Sequence, residues 1–490
     1  MNFSCTNFTR QIARAARLLR PSAMLLATGA IVASALLQSA CQFVSYQAKP
    51  IQSTSNTTEF RARNPNSAQF MAFLEAQNLS PTQGTIRSWD RDLLSYCALF
   101  YHPDLDVARA QWKAAQAAQI TAGQRPEIGA GGRLENHSNN SNITPWTYGL
   151  GIDIYVVTAG KIEIRIDRAA SLSEAARINI AQTAWQVRTR ALRSLLQYQY
   201  NLQQIALLKQ ELALRQDIVD MLQKRLDAGI ASNVDLNNAR IFMQKTEQAY
   251  VTELGRQPAL LAALANDLGL SVETLKQMPL PSLWQEDIAQ LAPEQDLSSY
   301  ALQNRLDIRA ALARYEAAEA SLRLEIAKQY PDFVLSPSYT FDQNDRIWAL
   351  GINSLLTLVN RNRGLIAEAN ALREVEASQF FALQTRVIRQ IEMQQASVSS
   401  IKENLKRAQE VLQVQTQRFQ QTQRQFDTGV ADRLELTGGQ LEIMIAQQNR
   451  LNLSFQLQQA VIELEDGLQR PLDGLFKLPS GVTQQSPQNG

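Results

Sequence analysis

The sequence of 490 residues predicts a mainly α-helical protein with a small β part, built as an internal duplication of long helical hairpins. Two separate stretches carry an apolar residue at every seventh position, which is the spacing of a coiled-coil seam. Each stretch ends in a similar turn, at residues 227–231 and 427–431. Before each stretch, residues alternate with a period of two, which is typical of strands. The seam residues are Tyr198, Ile205, Leu212, Val219 and Leu226 in the first copy, and Val398, Leu405, Leu412, Phe419 and Phe426 in the second.

Composition excludes some functions before any motif is considered. Charged residues make up 19% of the chain, and the formal net charge is +2. The first forty residues contain four arginines and no acid, so the chain without them has a net charge of −2. A nearly neutral protein without a basic patch gives no support to nucleic-acid binding. We therefore expect no nucleic-acid partner.

The N-terminal segment has the pattern of a secretory signal. The four arginines precede an apolar run over residues 23–37, and small residues lie immediately before Cys41. This pattern predicts a signal peptide over residues 1–40, although a membrane anchor that stays attached fits it too. The six residues ending at Cys41 resemble a bacterial lipoprotein signal, from which Gln38 departs. The resemblance implies lipidation of Cys41, such as with palmitate, rather than simple burial. Cleavage would leave only Cys97 beside it, so we expect no intrachain disulfide.

The rest of the chain divides into four predicted regions. The boundaries are 41–86 for an N-terminal tether, 87–300 for the first copy, 301–478 for the second copy and 479–490 for a disordered tail. Within the tether, the polar residues 42–66 predict extended chain. Short helices are expected at residues 68–78 in the tether and at residues 89–101 at the start of the first copy.

Each copy opens with an Ala-rich amphipathic helix and continues with a β-hairpin. The opening helices begin near Asp104 and Asp307 and stop near Pro126 and Pro331, as helices do at proline. Aromatic residues near the strand ends fit a transmembrane β-barrel, and a soluble β-layer packed on the helices is the alternative. The apolar strand faces carry Leu134, Tyr148, Leu150, Ile152, Ile154, Val156, Phe333, Leu335, Tyr339, Phe341, Trp348, Leu350 and Ile352.

A membrane location would require several copies of the chain. Four strands in one chain leave open sheet edges, and lipid cannot pair their backbone groups. Several copies would therefore have to share one barrel.

The hairpin helices are unusually long. Proline-free runs at residues 161–226 and 362–426 predict helices on the order of 100 Å in length, at about 1.5 Å per residue. A shorter return helix is expected at residues 233–268. Gly229 and Gly429 suit left-handed helix C-caps. Asp235 and Glu435 fall in the first turn of the return helices, where carboxylates favour the helix dipole.

Together these features resemble the TolC-type outer-membrane factor family, the exit ducts of bacterial tripartite export systems. The resemblance covers roughly residues 87–470. It rests on the twin openings, on the stretch 356–364 and on the twin turns, and on the order and duplicated spacing of these features along the chain. It implies a homotrimer with a twelve-stranded transmembrane β-barrel in the outer membrane and an α-helical tunnel through the periplasm. The implied partners are outer-membrane lipid, a periplasmic adaptor protein and an inner-membrane pump.

The resemblance also assigns roles to residues at the turns. The implied adaptor-contact residues are Asp227, Gly229, Asp427 and Gly429. The implied periplasmic gate consists of Asp432, Arg433 and Glu435. A second acid that the family pattern places three residues after Glu435 is missing, because Gly438 stands there.

No residue constellation supports an enzyme. His102 and His137 are the only histidines, and neither has ligand-like neighbours in the sequence. The glycines at residues 129–132 lie in a predicted strand, where a phosphate loop does not form. We expect no catalytic residue, cofactor or metal site.

Two functional hypotheses remain. The first is a passive, gated channel of the outer membrane that belongs to a tripartite export or efflux system. The alternative is a periplasmic adaptor or coiled-coil scaffold protein. An adaptor normally carries one long hairpin followed by small β-domains, whereas this sequence predicts two hairpins.

Overall fold

The computed structural model describes residues 44–51, 53–79, 86, 89–138, 145–284, 297–342, 344–355, 360–472 and 476–478. The predicted signal peptide, Cys41 and the predicted tail at residues 479–490 lie outside these ranges, as do residues 356–359 of the stretch 356–364. Residues 1–59 and 60–490 form two separate compact units. In the first unit, residues 44–51 have no regular secondary structure, and Val44 and Tyr46 are almost fully exposed.

Helix α1, Ser53–Ala62, shows that the prediction of extended chain over residues 42–66 is wrong for these ten residues. A polar composition argues against burial, but a helix closes its backbone hydrogen bonds locally and needs no core for them. Thr58 Oγ1 donates to the carbonyl oxygen of Thr54 at 3.1 Å, one turn earlier. Polarity therefore indicates exposure in this segment without deciding its conformation.

The elements after α1 have the predicted duplicated order. A short helix, α2 (Ala68–Glu75), comes first. The first copy contains α3 (Arg91–Tyr101), α4 (Pro103–Ala122), β1 (Gly129–Asn136), β2 (Trp146–Val156), α5 (Lys161–Asp227), α6 (Asn233–Leu268) and α7 (Val272–Lys276). The second copy contains α8 (Leu297–Asn304), α9 (Leu306–Ala327), β3 (Phe333–Asp342), β4 (Asp345–Ser354), α10 (Arg363–Asp427) and α11 (Arg433–Leu468). The predicted fold class, mainly α-helical with a small β part, is confirmed.

The helix boundaries follow the local signals in the sequence. Helices α4 and α9 end before Pro126 and Pro331. Helices α5 and α10 have 67 and 65 residues, which corresponds to about 100 Å each. The return helices α6 and α11 both have 36 residues and begin 200 positions apart in the chain. In the described part of the chain, no helix is both long and apolar enough to cross a membrane.

The four strands form one antiparallel sheet in the order β1-β2-β3-β4. The pairing of Leu134 with Tyr148, and of Tyr148 with Phe341, places the predicted apolar residues on one face. This face is uncovered in the single chain, since Leu150 is 73% exposed and Trp348 is 80% exposed. Strands β1 and β4 are the edges of this sheet.

Two clusters of buried apolar residues hold the helices together. The first lies where α2, α3, the middle of α5 and the end of α6 meet, and Ile462 and Phe476 also belong to it. The second joins α8, α9, α10 and α11 through Ala301, Ile308, Val387, Ile391, Val398, Leu457 and Leu464. Each fully buried valine, leucine or isoleucine of these clusters contributes about 2 kcal/mol by leaving water.

A buried ionic cluster, which we call the Glu465 cluster, connects the two copies within the first apolar cluster. The Glu465 carboxylate accepts hydrogen bonds from Arg91, from Arg188 Nη1 at 3.2 Å and from the backbone N–H of Leu472 at 3.0 Å. The side chains of Arg188 and Glu465 are each only 1% exposed. The Arg188 guanidinium also lies 4.7 Å from the centre of the Phe476 ring. Helix α5 is thereby fixed to helix α11.

We expect Glu465→Gln to destabilise the protein by about 3 kcal/mol or more, because it leaves two guanidinium groups without their buried counter-charge. Thermal unfolding of the purified protein in detergent measures this loss. Glu442→Gln is the matched control, since Glu442 is an exposed residue of the same helix. Equal melting temperatures for the two variants would show that the cluster does not hold the copies together.

Candidate functional site at the hairpin tips

The two helical hairpins end in matching tips, formed by residues 225–232 and 425–432. In the first tip, the N–H of Ile230 donates to the carbonyl of Arg225 at 2.9 Å. In the second, the N–H of Val430 donates to the carbonyl of Gln425 at 2.8 Å. These are the closing bonds of a Schellman C-cap, which requires a left-handed residue. Gly229 and Gly429 supply it, each with a φ of +75°, and the two predicted glycine C-caps are confirmed.

The two predicted tip aspartates have matching local contacts. Asp227 accepts a hydrogen bond from the Gln223 side chain at 2.8 Å, and Asp427 accepts one from Gln423 at 2.9 Å. Each bond joins positions one helical turn apart, so both carboxylates brace the last turn of their own helix. Both aspartates are exposed.

Each tip also exposes an apolar side chain that the sequence analysis did not single out. Ile230 is 74% exposed and Val430 is 77% exposed. Both residues directly follow the left-handed glycine, where the turn projects the chain away from the helix end. The sequence did contain a signal for these exposed side chains, because a β-branched residue directly follows the glycine in both copies.

The return helices begin at side-chain caps of different charge. Ser232 Oγ accepts from the N–H of Asp235 at 3.1 Å, whereas Asp432 Oδ1 accepts from the N–H of Glu435 at 3.0 Å. Asp235 and Glu435 lie in the first turn, as expected. An N-cap oxygen satisfies a backbone donor that the helix itself leaves unpaired. Asp432 is therefore a structural cap as well as a predicted gate residue.

One ion pair joins the two tips, and we call it the tip ion pair. Arg225 Nη2 donates to Asp432 Oδ2 at 2.6 Å, across 207 residues of sequence. The hydrogen bond from Arg225, followed by the backbone hydrogen bond from Glu435, holds the pKa of the Asp432 carboxyl below its usual value. Gln425 corresponds to Arg225 in the other copy, and Ser232 corresponds to Asp432. Neither residue carries a charge, so these two positions do not form an equivalent ion pair.

The predicted gate residues are only partly brought together. Asp432 lies beside Glu435 at the helix start, and Arg433 and Glu435 are both exposed. The cation that contacts Asp432 is Arg225 from the other hairpin, which the sequence analysis missed. The signal was present in the repeat, where Arg225 in one copy aligns with an uncharged Gln425 in the other.

The histidines have structural contacts. The Nδ1 atom of His102 accepts from the N–H of Asp104 at 3.2 Å and caps α4. Burial is the main cause that lowers the pKa of His102. The Nε2 atom of His137 lies 2.9 Å from Thr147 Oγ1. Within the described ranges, no group of three or more His, Cys, Asp or Glu side chains could hold a metal ion.

The structure thus combines two long hairpins that meet at charged tips with a four-stranded sheet that has an exposed apolar face. A sequence model of the outer membrane efflux protein family matches residues 94–270 and 297–468, which is well over half of the chain. The protein belongs to this family. It is therefore a channel component of an outer-membrane efflux system, as the sequence predicted, and not an adaptor or scaffold. No curated protein sequence matches the chain.

Solved structures of outer-membrane channels have the same fold. The chain is similar to the outer membrane protein VceC of Vibrio cholerae at 20% identity, covering 82% of this chain and 98% of that one, with a TM-score of 0.62. It is similar to the channel OprN at 17% identity, with coverage of 87% and 99% and a TM-score of 0.65. The CmeC channel of Campylobacter jejuni gives 14% identity, coverage of 87% and 94%, and a TM-score of 0.62.

The tip ion pair should depend on pH with a definite sign. Because the folded-state pKa of Asp432 is lowered, the pair contributes stability above about pH 4 and loses it as the pH falls below that value. Exposure limits the contribution to about 1 kcal/mol or less. Spin labels on Ile230→Cys and Val430→Cys should report one narrow distance at neutral pH and a broader distribution at about pH 3.

In the same labelled protein, Arg225→Gln should broaden the distance distribution already at neutral pH. Arg240→Gln is the control, because Arg240 bonds to Gln223 within the first hairpin and not between the tips. A narrow distribution in the Arg225 variant would rule out the ion pair as the connection between the tips.

Proposed function

We propose that three copies of this chain form a passive, gated conduit that crosses the outer membrane and extends into the periplasm. The observation that carries this proposal is the tip ion pair, a partly exposed contact that connects the two hairpins near their far ends. Such a contact can break and re-form at low cost. Chemical energy for export would come from an inner-membrane pump, and a periplasmic adaptor would join this pump to the conduit.

The sheet supports a shared barrel. One chain supplies four strands, and its edge strands β1 and β4 have one unpaired side each. Unpaired strand edges are not stable in lipid, so neighbouring copies must pair them. Three copies would give twelve strands, with the exposed apolar face of each sheet toward outer-membrane lipid. Joining edge to edge in a ring satisfies every edge at once.

The gate is proposed to lie at the second tip. Asp432, Arg433 and Glu435 begin helix α11, and only Asp432 is held by the other hairpin. While the tip ion pair is intact, α11 is kept against α5 and the periplasmic end stays narrow. Loss of the pair frees the start of α11 to move outward.

The tips are also the proposed contact with the adaptor. Asp227, Gly229, Asp427 and Gly429 shape the two tips, and Ile230 and Val430 provide exposed apolar side chains for a partner. Burying two such side chains contributes about 3 kcal/mol or more to binding. An adaptor that binds both tips at once can compete with the tip ion pair and open the gate.

Lipidation of Cys41 after removal of residues 1–40 is proposed as an additional anchor to the outer membrane. It rests on the lipoprotein-like sequence alone. The mass of the mature N-terminal peptide tests this directly.

The proposed function is tested by single-channel recording of the purified protein in planar lipid bilayers. We expect discrete channels in the wild type and a higher mean conductance in Arg225→Gln, since the tip ion pair is lost. Arg240→Gln is the matched control and should conduct like the wild type. Wild-type conductance in Arg225→Gln would refute the gate, and a silent bilayer would refute the conduit.

The adaptor contact makes a separate prediction. Replacing Ile230 and Val430 together by Asp should abolish export in cells, because two buried carboxylates oppose docking. The purified variant should still form channels of wild-type conductance. Export at the wild-type level in the double variant would show that the adaptor binds elsewhere. The control is the replacement of Val251 and Val411 by Asp, which are exposed residues of the same hairpins far from the tips.

A further inference from the structure

Helix α11 contains two adjacent glycines, Gly438 and Gly439, within two turns of the gate residues. A glycine in a helix interior is destabilising by roughly 1 kcal/mol relative to alanine, because its backbone loses more freedom on folding. Adjacent glycines are also among the recognised causes of sharp helix kinks. The pair therefore weakens the helix near the second tip.

Packing explains only one of the two glycines. A Cβ atom on Gly439 would lie 3.2 Å from Cδ2 of Phe419, a seam residue of α10, so a glycine allows these helices to approach closely. A Cβ atom on Gly438 would meet no atom within 4 Å. The backbone of Gly438 is helical, which any residue can adopt. Alanine would thus fit at Gly438 and strengthen the helix.

The preceding residue weakens the same turn. Thr437 is buried, and its Oγ1 donates to the carbonyl oxygen of Arg433 at 2.9 Å. A threonine that bonds back to the carbonyl four residues earlier competes with the backbone hydrogen bond and often bends the helix. Residues 437–439 therefore combine two independent features that favour bending, and we call them the bend segment.

The first copy lacks this segment although its return helix has the same length. The residues 200 positions earlier are Asn237, Asn238 and Ala239. The interior glycine of α6 is Gly255, which stands three residues before Pro258 and far from the first tip. The duplicated architecture thus forms without glycines next to the tip. Their presence in the second copy alone requires another reason.

The bend segment lies between one firm contact and one weak contact. On the C-terminal side of the bend segment, Gln448 Nε2 donates to Glu211 Oε2 at 2.6 Å, and the Glu211 side chain is only 6% exposed. Glu211 also accepts hydrogen bonds from Arg215 and Thr246, so it is held from three sides. On the N-terminal side of the bend segment, Asp432 is held by the exposed tip ion pair. About 14 Å of helix separates Gly439 from Gln448.

From this arrangement, and resting on the gate proposed above, we infer that the bend segment is the hinge of the gate. When the tip ion pair breaks, the start of α11 swings about residues 437–439, and the helix beyond Gln448 stays fixed to α5 by Glu211. The first hairpin has no such hinge and remains straight. Opening is then a local movement of the second tip in each chain and requires no movement of a whole hairpin.

The hinge is tested in the Arg225→Gln background, in which the tip ion pair is absent. Adding Gly438→Ala should reduce the population of the open state about fivefold and return the mean conductance toward the wild-type value. Adding Gly255→Ala, the same change at an uncrowded helix position of the first copy, should leave the conductance of Arg225→Gln unchanged. Equal conductance of the two double variants would overturn the hinge.

Hydrogen exchange tests the hinge without relying on the gate. In the full-length wild-type protein, the amides of residues 438–443 should exchange at least fivefold faster than those of residues 238–243, and Gly438→Ala should remove most of this difference. Equal exchange in the two copies would overturn the hinge whatever the recordings show. Fast exchange with no conductance change in Arg225→Gln would retain the hinge and refute the ion pair as the gate.

Discussion

The buried pair of Arg188 and Glu465 sets the register on which the rest of the structure depends. It fixes the first long helix to the last return helix where both are fully buried, so neither helix can slide without leaving a charge unpaired in the core. From this pair the tip residues Arg225 and Asp432 lie on the order of 50 Å away, at about 1.5 Å per residue. A one-residue slip would move Asp432 around its helix and separate it from Arg225.

Contacts between the hairpins become weaker from the core toward the tips. The Arg188–Glu465 pair is fully buried, Glu211 is nearly so where Gln448 contacts it, and the tip ion pair is partly exposed to water. Because the strength of an ionic contact falls as water replaces protein around it, stability decreases in the same direction. The contacts between the hairpins are thus firmest where they hold the register and weakest at the tips.

Much of the fold could be predicted from the sequence because its causes are local. Each of these causes acts over only a few residues: the heptad seam, the prolines after the opening helices and the alternation in the strands. The ends of the predicted long helices agree with the structure to within about two residues. The prediction failed at Ser53–Ala62, where polar residues form a helix although they had indicated extended chain. The composition of a segment therefore predicts its burial more reliably than it predicts its backbone conformation.

The candidate site, like the fold, could be predicted from the sequence only where its causes are local. The sequence by itself determined the tips, because a glycine is the residue that most readily ends a helix in a left-handed turn. It also placed Asp432 and Glu435 at the start of the return helix. Only the tertiary structure decided that Asp432 meets Arg225, and that Glu211 anchors Gln448. Those partners are more than 200 residues apart, and their meeting depends on helix register, which is fixed by packing around Glu465 at a distant point of the chain.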